Sequence, residues 1–138
     1  MKAEELMIDD WVQIRHPKGL PDANGIQISE IDSSGHSICF FSDIAEGELT
    51  LSLDDIAPIP ITPEILEKNG FRKDDETDQW YFKSENRLDL GLLAVGIDDG
   101  CGVGLCVMRN GAITYYCKYV HELQHYLRLI GGAEEIIL

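Results

Sequence analysis

Thr62-Pro63-Glu64, followed by Gly70, marks a short helix near the middle of the chain. On either side, turn residues recur so closely that mostly short strands fit between them. Thr62 suits the N-cap, where its hydroxyl takes up an orphan backbone N–H, and Pro63 brings the fixed φ of a first helical position. Glu64 favours the positive end of the helix dipole, and Gly70 supplies the left-handed stop. The helix is predicted over 63–69, anchored by Ile65, Leu66 and Phe71. The 138 residues are about one domain by length, or two small lobes. The boundaries read as a β-lobe over 1–60, a connector helix over 61–70 and a second lobe over 71–138.

The first lobe begins with Leu6 to Ile14, a strand entered through the acidic turn Asp9-Asp10. A loop rich in turn residues follows from Pro17 to Gly25. Strands are expected at Ile26 to Ile31, Ser37 to Phe41 and Glu48 to Leu53, parted by Asp32-Ser33-Ser34-Gly35 and Ala45-Glu46-Gly47. Leu53 to Pro60 carries a last turn and strand. Short strands with tight turns fit a small SH3-like β-barrel.

The second lobe reads as an antiparallel meander closed by a helix. Its strands are expected at Gln79 to Lys83, Leu88 to Ile97, Val103 to Met108 and Ala112 to Lys118, with Asn110-Gly111 as a two-residue hairpin turn. A helix from Tyr119 to Ile130 lays its apolar side on the sheet. Gly131-Gly132 ends it, and Glu135 to Leu138 returns as an edge strand. The fold class is therefore α+β.

That last helix carries His121-Glu122-Leu123-Gln124-His125, which spells the zinc motif His-Glu-x-x-His. Histidines four apart share one side of a helix and can grip Zn²⁺, while the glutamate activates the bound water as general base. A zinc-dependent hydrolase would thus use His121 and His125 as metal ligands and Glu122 as the catalytic base. A third ligand is needed, and the metzincin extension is missing, because Arg128 and Gly131 stand where glycine and histidine would be. At about 100° per residue, Tyr119, Val120, Leu123, Tyr126, Leu127, Leu129 and Ile130 form one apolar arc. His121, Gln124, His125 and Arg128 fall opposite, toward water. The reading preferred on this pattern is an amphipathic helix with no metal, no cofactor and no catalytic residue.

The other chemistry-bearing residues give weaker signals. Gly100, Gly102 and Gly104 precede a strand rather than a helix, so a hairpin loop is preferred to a phosphate cradle. Asp98 and Asp99 there would bind Mg²⁺ or Ca²⁺ only weakly. Cys39, Cys101, Cys106 and Cys117 form no CxxC pair; at least three read as buried reduced thiols, with Cys101 the most exposed. Reduced thiols and an opening without a secretory signal place the chain in the cytoplasm. No apolar run is long enough to span a membrane.

With 25 acidic residues against 11 basic, the formal net charge of −14 argues against binding a phosphate backbone and favours a basic partner. A nucleic-acid-associated module would need Lys2, Arg15, His16 and Lys18, or Arg72, Lys73, Lys83 and Arg87, to gather into a basic patch. Trp11, Trp80 and Tyr81 are read as core or half-buried strand residues rather than contact residues.

Three segments carry a resemblance: Glu5 to Val12, Ile56 to Phe71 with its centre Pro60-Ile61-Thr62-Pro63-Glu64-Ile65-Leu66-Glu67-Lys68-Asn69-Gly70-Phe71, and Tyr119-Val120-His121-Glu122-Leu123-Gln124-His125. They resemble a family of small uncharacterised proteins of gut bacteria, often met in phage-like or mobile genetic contexts. The resemblance implies no established activity and supplies no catalytic residue. Taken together, the expectation is a non-enzymatic accessory protein that presents an acidic surface to a protein partner, with the zinc hydrolase and the nucleic-acid module as alternatives.

Overall fold

The structure is a computed structural model that describes residues 1–15, 25–73, 75–76, 79–82, 93–98, 104–109, 112–129 and 136–138. It is α+β and divides into two compact units, Met1–Ile59 and Pro60–Leu138.

The N-terminal unit is an antiparallel five-stranded sheet built from β1 (Trp11–Ile14), β2 (Ile26–Ile31), β3 (Ser37–Ser42), β4 (Gly47–Ser52) and β5 (Ile56–Pro58). The strand order is β4-β3-β2-β1-β5, so β4 and β5 are the two edges and no ladder closes between them. Side chains alternate between faces with period two. Val12 and Ile14 of β1, Ile26 and Ile28 of β2, Ile38 and Phe40 of β3, and Ile56 of β5 point to one side and form the core with Leu6 and Leu53. Val12, Ile28, Ile38 and Ile56 are wholly enclosed. Each such side chain contributes on the order of 1.5–3 kcal/mol relative to exposure. The register of β2 on β3 shifts between Ile28 and Glu30, a bulge at Ser29 that bends the strand.

Two turns set the geometry of this unit. Before β1, Asp10 N donates to Met7 O (3.3 Å) while Met7 N donates to Asp10 Oδ2 (2.7 Å), so the wholly buried Asp10 side chain closes its own turn. Asp9 takes a left-handed conformation (φ 69°) that aspartate tolerates better than most residues. The strand expected from Leu6 therefore starts only at Trp11. Between β2 and β3, Gly35 N donates to Asp32 O (2.8 Å), and the Gly35 φ of 68° explains the glycine. A 3₁₀ turn over Leu53–Asp55, with Ser52 Oγ accepting from Asp54 N (3.3 Å), leads into β5.

The C-terminal unit opens with α1 (Pro63–Lys68), whose Thr62 Oγ1 accepts from Ile65 N (3.4 Å) and whose stop is Gly70 at φ 83°. Leu66 and Phe71 are its buried anchors. A two-residue strand β6 (Arg72–Lys73), which the sequence pattern does not announce, pairs with β7 (Gln79–Phe82). With β8 (Leu93–Asp98), β9 (Gly104–Arg109) and β10 (Ala112–Cys117) they form a second antiparallel sheet in chain order. The helix α2 (Val120–Leu129) follows β10 directly. Upstream of α1, Ile61 N donates to Lys118 O (3.2 Å) and Pro60 bridges to Tyr119.

Residues 136–138 form no strand, contrary to the expected return of Glu135 to Leu138. Asn69 takes the place of a partner strand: Ile137 N donates to Asn69 Oδ1 (2.7 Å) and Asn69 Nδ2 donates to Ile137 O (2.7 Å). The same Nδ2 also reaches Ile65 O (2.7 Å), and Lys68 Nζ donates to Leu138 O. A lone amide side chain thus satisfies both backbone groups of Ile137.

Candidate functional site

The His-Glu-x-x-His segment occupies the first half of α2. Glu122 is its third helical residue, and its Oε2 accepts from the backbone N–H of Lys118 (2.6 Å) and of Tyr119 (3.0 Å). The Tyr119 N–H, at the cap position, is one that a helix start leaves without an intrahelical acceptor, and Lys118 lies just outside the helix. Tyr119 O accepts from Leu123 N (3.2 Å), closing the first helical turn. The carboxylate that the zinc-hydrolase alternative casts as general base is thus engaged as the acidic half of a capping arrangement.

The histidines do not both face water as periodicity suggests. His121 and Gln124 are buried, each 4% exposed, and His125 is half-buried, while Arg128 is exposed as expected. On the other side of the helix Val120, Leu123, Tyr126 and Leu127 are buried, but Leu129 is 78% exposed despite its place in the apolar arc. The start of α2 is enclosed around most of its circumference and its last turn emerges. Apolar spacing shows which side of a helix must be covered; it does not show whether the polar side is covered too.

Around His121 the rings stack. Tyr119 lies nearly parallel to it (8°) with centroids 5.9 Å apart, and His125 meets it edge-on (76°) at 5.8 Å. Lys118 Nζ sits 5.5 Å from the centre of the Tyr119 ring. The pair His121 and His125 is close enough to share an ion, yet among the described residues no group of three or more His, Cys, Asp or Glu converges to hold one. Two protein ligands fall short of the three that a catalytic zinc takes.

A groove of about 340 Å³ lies on the outer face of the N-terminal unit. Trp11 of β1, Gln27 and Ser29 of β2 and Phe41 of β3 line it, with Asp9 and Asp43. Pairing builds the face: Trp11 stands opposite Gln27, and Phe41 opposite Glu48 of β4. Ser29 Oγ donates to Glu48 Oε1 (2.9 Å), so a third carboxylate borders the lining residues. Phe40 and Phe41 have opposite fates by alternation, the first 1% and the second 64% exposed. Among the described residues, no lysine or arginine lines the groove. Trp11 is half-buried and is both a strand residue and a groove wall. A wider hollow of about 660 Å³ beside the N-terminal turn mixes Lys2 and His36 with Glu4 and Asp54 and, among the described residues, has no comparable aromatic wall.

Cys39 also departs from the expectation of burial. It is half-buried with Sγ 3.5 Å from Thr50 Oγ1, whereas Cys117 is buried as expected. Cys101, Gly100, Gly102, Asp99, His16, Lys18, Lys83 and Arg87 lie outside the described residues, as do the side chains of Cys106, Trp80, Tyr81 and Asp98; Gly104 opens β9. Neither basic patch required of a nucleic-acid module is therefore described in full. No helix among the described residues is long and apolar enough to cross a membrane. Comparison with protein-family models, with curated proteins and with solved structures returns no match.

Proposed function

We propose that the chain is a non-enzymatic accessory protein whose N-terminal unit, an SH3-like barrel left open between β4 and β5, offers an acidic, aromatic-lined groove to a basic protein partner. The observation that carries this reading is the groove at Trp11 and Phe41, bordered by Asp9 and Asp43 and, among the described residues, lined by no lysine or arginine. The strand order, the β1–β5 pairing and the 3₁₀ turn ahead of β5 support the barrel. The net charge of −14 gives a basic partner a long-range attraction that a phosphate backbone would not share. The resemblance to the gut-bacterial family, with its phage-like or mobile contexts, belongs to the same proposal.

The second reading is a zinc hydrolase at His121, Glu122 and His125. The 5.8 Å approach of the two rings favours it, and the engagement of Glu122 with Lys118 and Tyr119 weighs against it. An array of peptides graded in charge, probed with the purified chain, tests the first reading. Binding that rises with positive charge and maps to the N-terminal unit supports it. Turnover of a substrate that disappears in Glu122→Gln would overturn it in favour of the second.

A further inference from the structure

We infer that the groove is the seat of an arginine side chain from that partner, its guanidinium stacked on Trp11 and Phe41 and facing the carboxylates of Asp9 and Asp43. This rests on the protein-binding reading above. A single exposed phenylalanine is ordinary on a protein surface. Here it shares one concave surface with a tryptophan and two acids. Such a mixture is poorly suited to a purely apolar ligand, which would bury the carboxylates' surroundings without compensation. A nucleotide would stack its base on the rings but bring its phosphate against the acids. A cation satisfies both halves of the lining at once.

Arginine fits better than lysine because its planar guanidinium stacks on a ring while its fork of N–H groups bonds carboxylates. Part of the groove is already fixed. Asp9 N donates to Ile28 O (2.7 Å), and Asp9 O accepts from Gln27 Nε2 (3.1 Å), so the backbone carrying one acid is pinned on both sides. Little ordering of that turn would be needed on binding, which favours a small ligand. The volume of about 340 Å³ suits one long side chain with its flanking backbone, at the low end of the roughly 300–1,000 Å³ of small-ligand sites.

The test is a nuclear magnetic resonance titration of the whole chain with Nα-acetyl-arginine amide at about 0.15 M salt, where long-range attraction to the acidic surface is screened. Nα-acetyl-citrulline amide, nearly the same shape without the charge, runs beside it. The expected result is a saturable shift of the Trp11 indole and of the Phe41 amide with the arginine probe, and little response to citrulline. Phe41→Ala, at an exposed position, and Asp43→Asn should keep the fold; the first should weaken binding by about 2- to 30-fold, as loss of a cation–π contact does, and the second by about 1.5- to 5-fold, as loss of an exposed charge contact does. Equal response to the two probes, no saturable shift, or unchanged affinity in Phe41→Ala would overturn the inference. Saturable arginine binding elsewhere on the N-terminal unit would overturn this seat and leave the wider binding reading standing. Turnover that depends on Glu122, with no basic peptide bound, would remove both.

Discussion

Glu122 Oε2 lies 2.6 Å from the backbone nitrogen of Lys118, one helical turn back along the chain, and accepts its hydrogen bond. With the second bond, from Tyr119 N, the carboxylate holds the first turn of α2 in place. Glu122→Ala should destabilise the C-terminal unit by about 0.5–2 kcal/mol, the range of helix-cap losses. Glu122→Gln keeps an acceptor oxygen and should cost less. Urea denaturation followed by circular dichroism measures both; a neutral alanine variant would sink the capping role.

His121 and His125 should part company on substitution. The enclosed His121 ring packs against Tyr119 and His125, so His121→Ala should cost about 1–3 kcal/mol of stability through lost packing. His125, half-buried, should cost under about 1 kcal/mol. Elemental analysis of untagged protein should find no stoichiometric zinc in either form. About one zinc per chain in the native protein, lost in His121→Ala, would instead establish the metal site.

Asn69 makes three side-chain hydrogen bonds, two of them to Ile137. Asn69→Ala should destabilise by about 1–3 kcal/mol and expose the Ile137 amide. Hydrogen exchange at Ile137 reads this directly, since its protection should fall while that of the α2 core stays. Asn69→Asp keeps an acceptor for Ile137 N but sets a carboxylate against the carbonyls of Ile65 and Ile137, so it should be no milder.

Glu64 has its carboxyl held below the ordinary glutamate value, first by its own backbone N–H and then by the Thr62 hydroxyl. A depressed value means the folded state favours the ionised form. That contribution is present at neutral pH and is lost as the pH falls through and below the ordinary range near about 4.3. A carbon-13 titration should place the Glu64 midpoint below that range, and Thr62→Ala should move it upward. A midpoint unchanged by Thr62→Ala would remove the hydroxyl from the account.

The elements with local chemical punctuation were legible in the sequence. β2 runs from Ile26 to Ile31 as its alternation requires, and α1 starts after Thr62 and ends before Gly70 as its caps require. What stayed hidden depends on contacts distant along the chain. The run Ser37 to Phe41 is too uniformly apolar to show that Phe40 turns inward and Phe41 outward. Nothing in His121-Glu122-Leu123-Gln124-His125 distinguishes a carboxylate facing a metal from one bonded to the preceding backbone. Pairing between the Asn69 side chain and Ile137 spans most of the C-terminal unit in sequence and has no local sign. The groove was missed because Trp11 reads as a strand residue; an aromatic directly after Asp9 and Asp10 was the available hint.

Asn69 is followed by Gly70, a dipeptide prone to deamidation when the glycine nitrogen is free to attack the amide carbon. Here the Gly70 N–H is committed to Glu67 O (3.0 Å) and the Asn69 amide is held at Ile65 and Ile137. The reaction must wait for this corner to open. The slow appearance of isoaspartate and aspartate at position 69 in stored protein, with loss of ammonia, is therefore a clock for local opening, each converted molecule recording a moment when the end of α1 came loose.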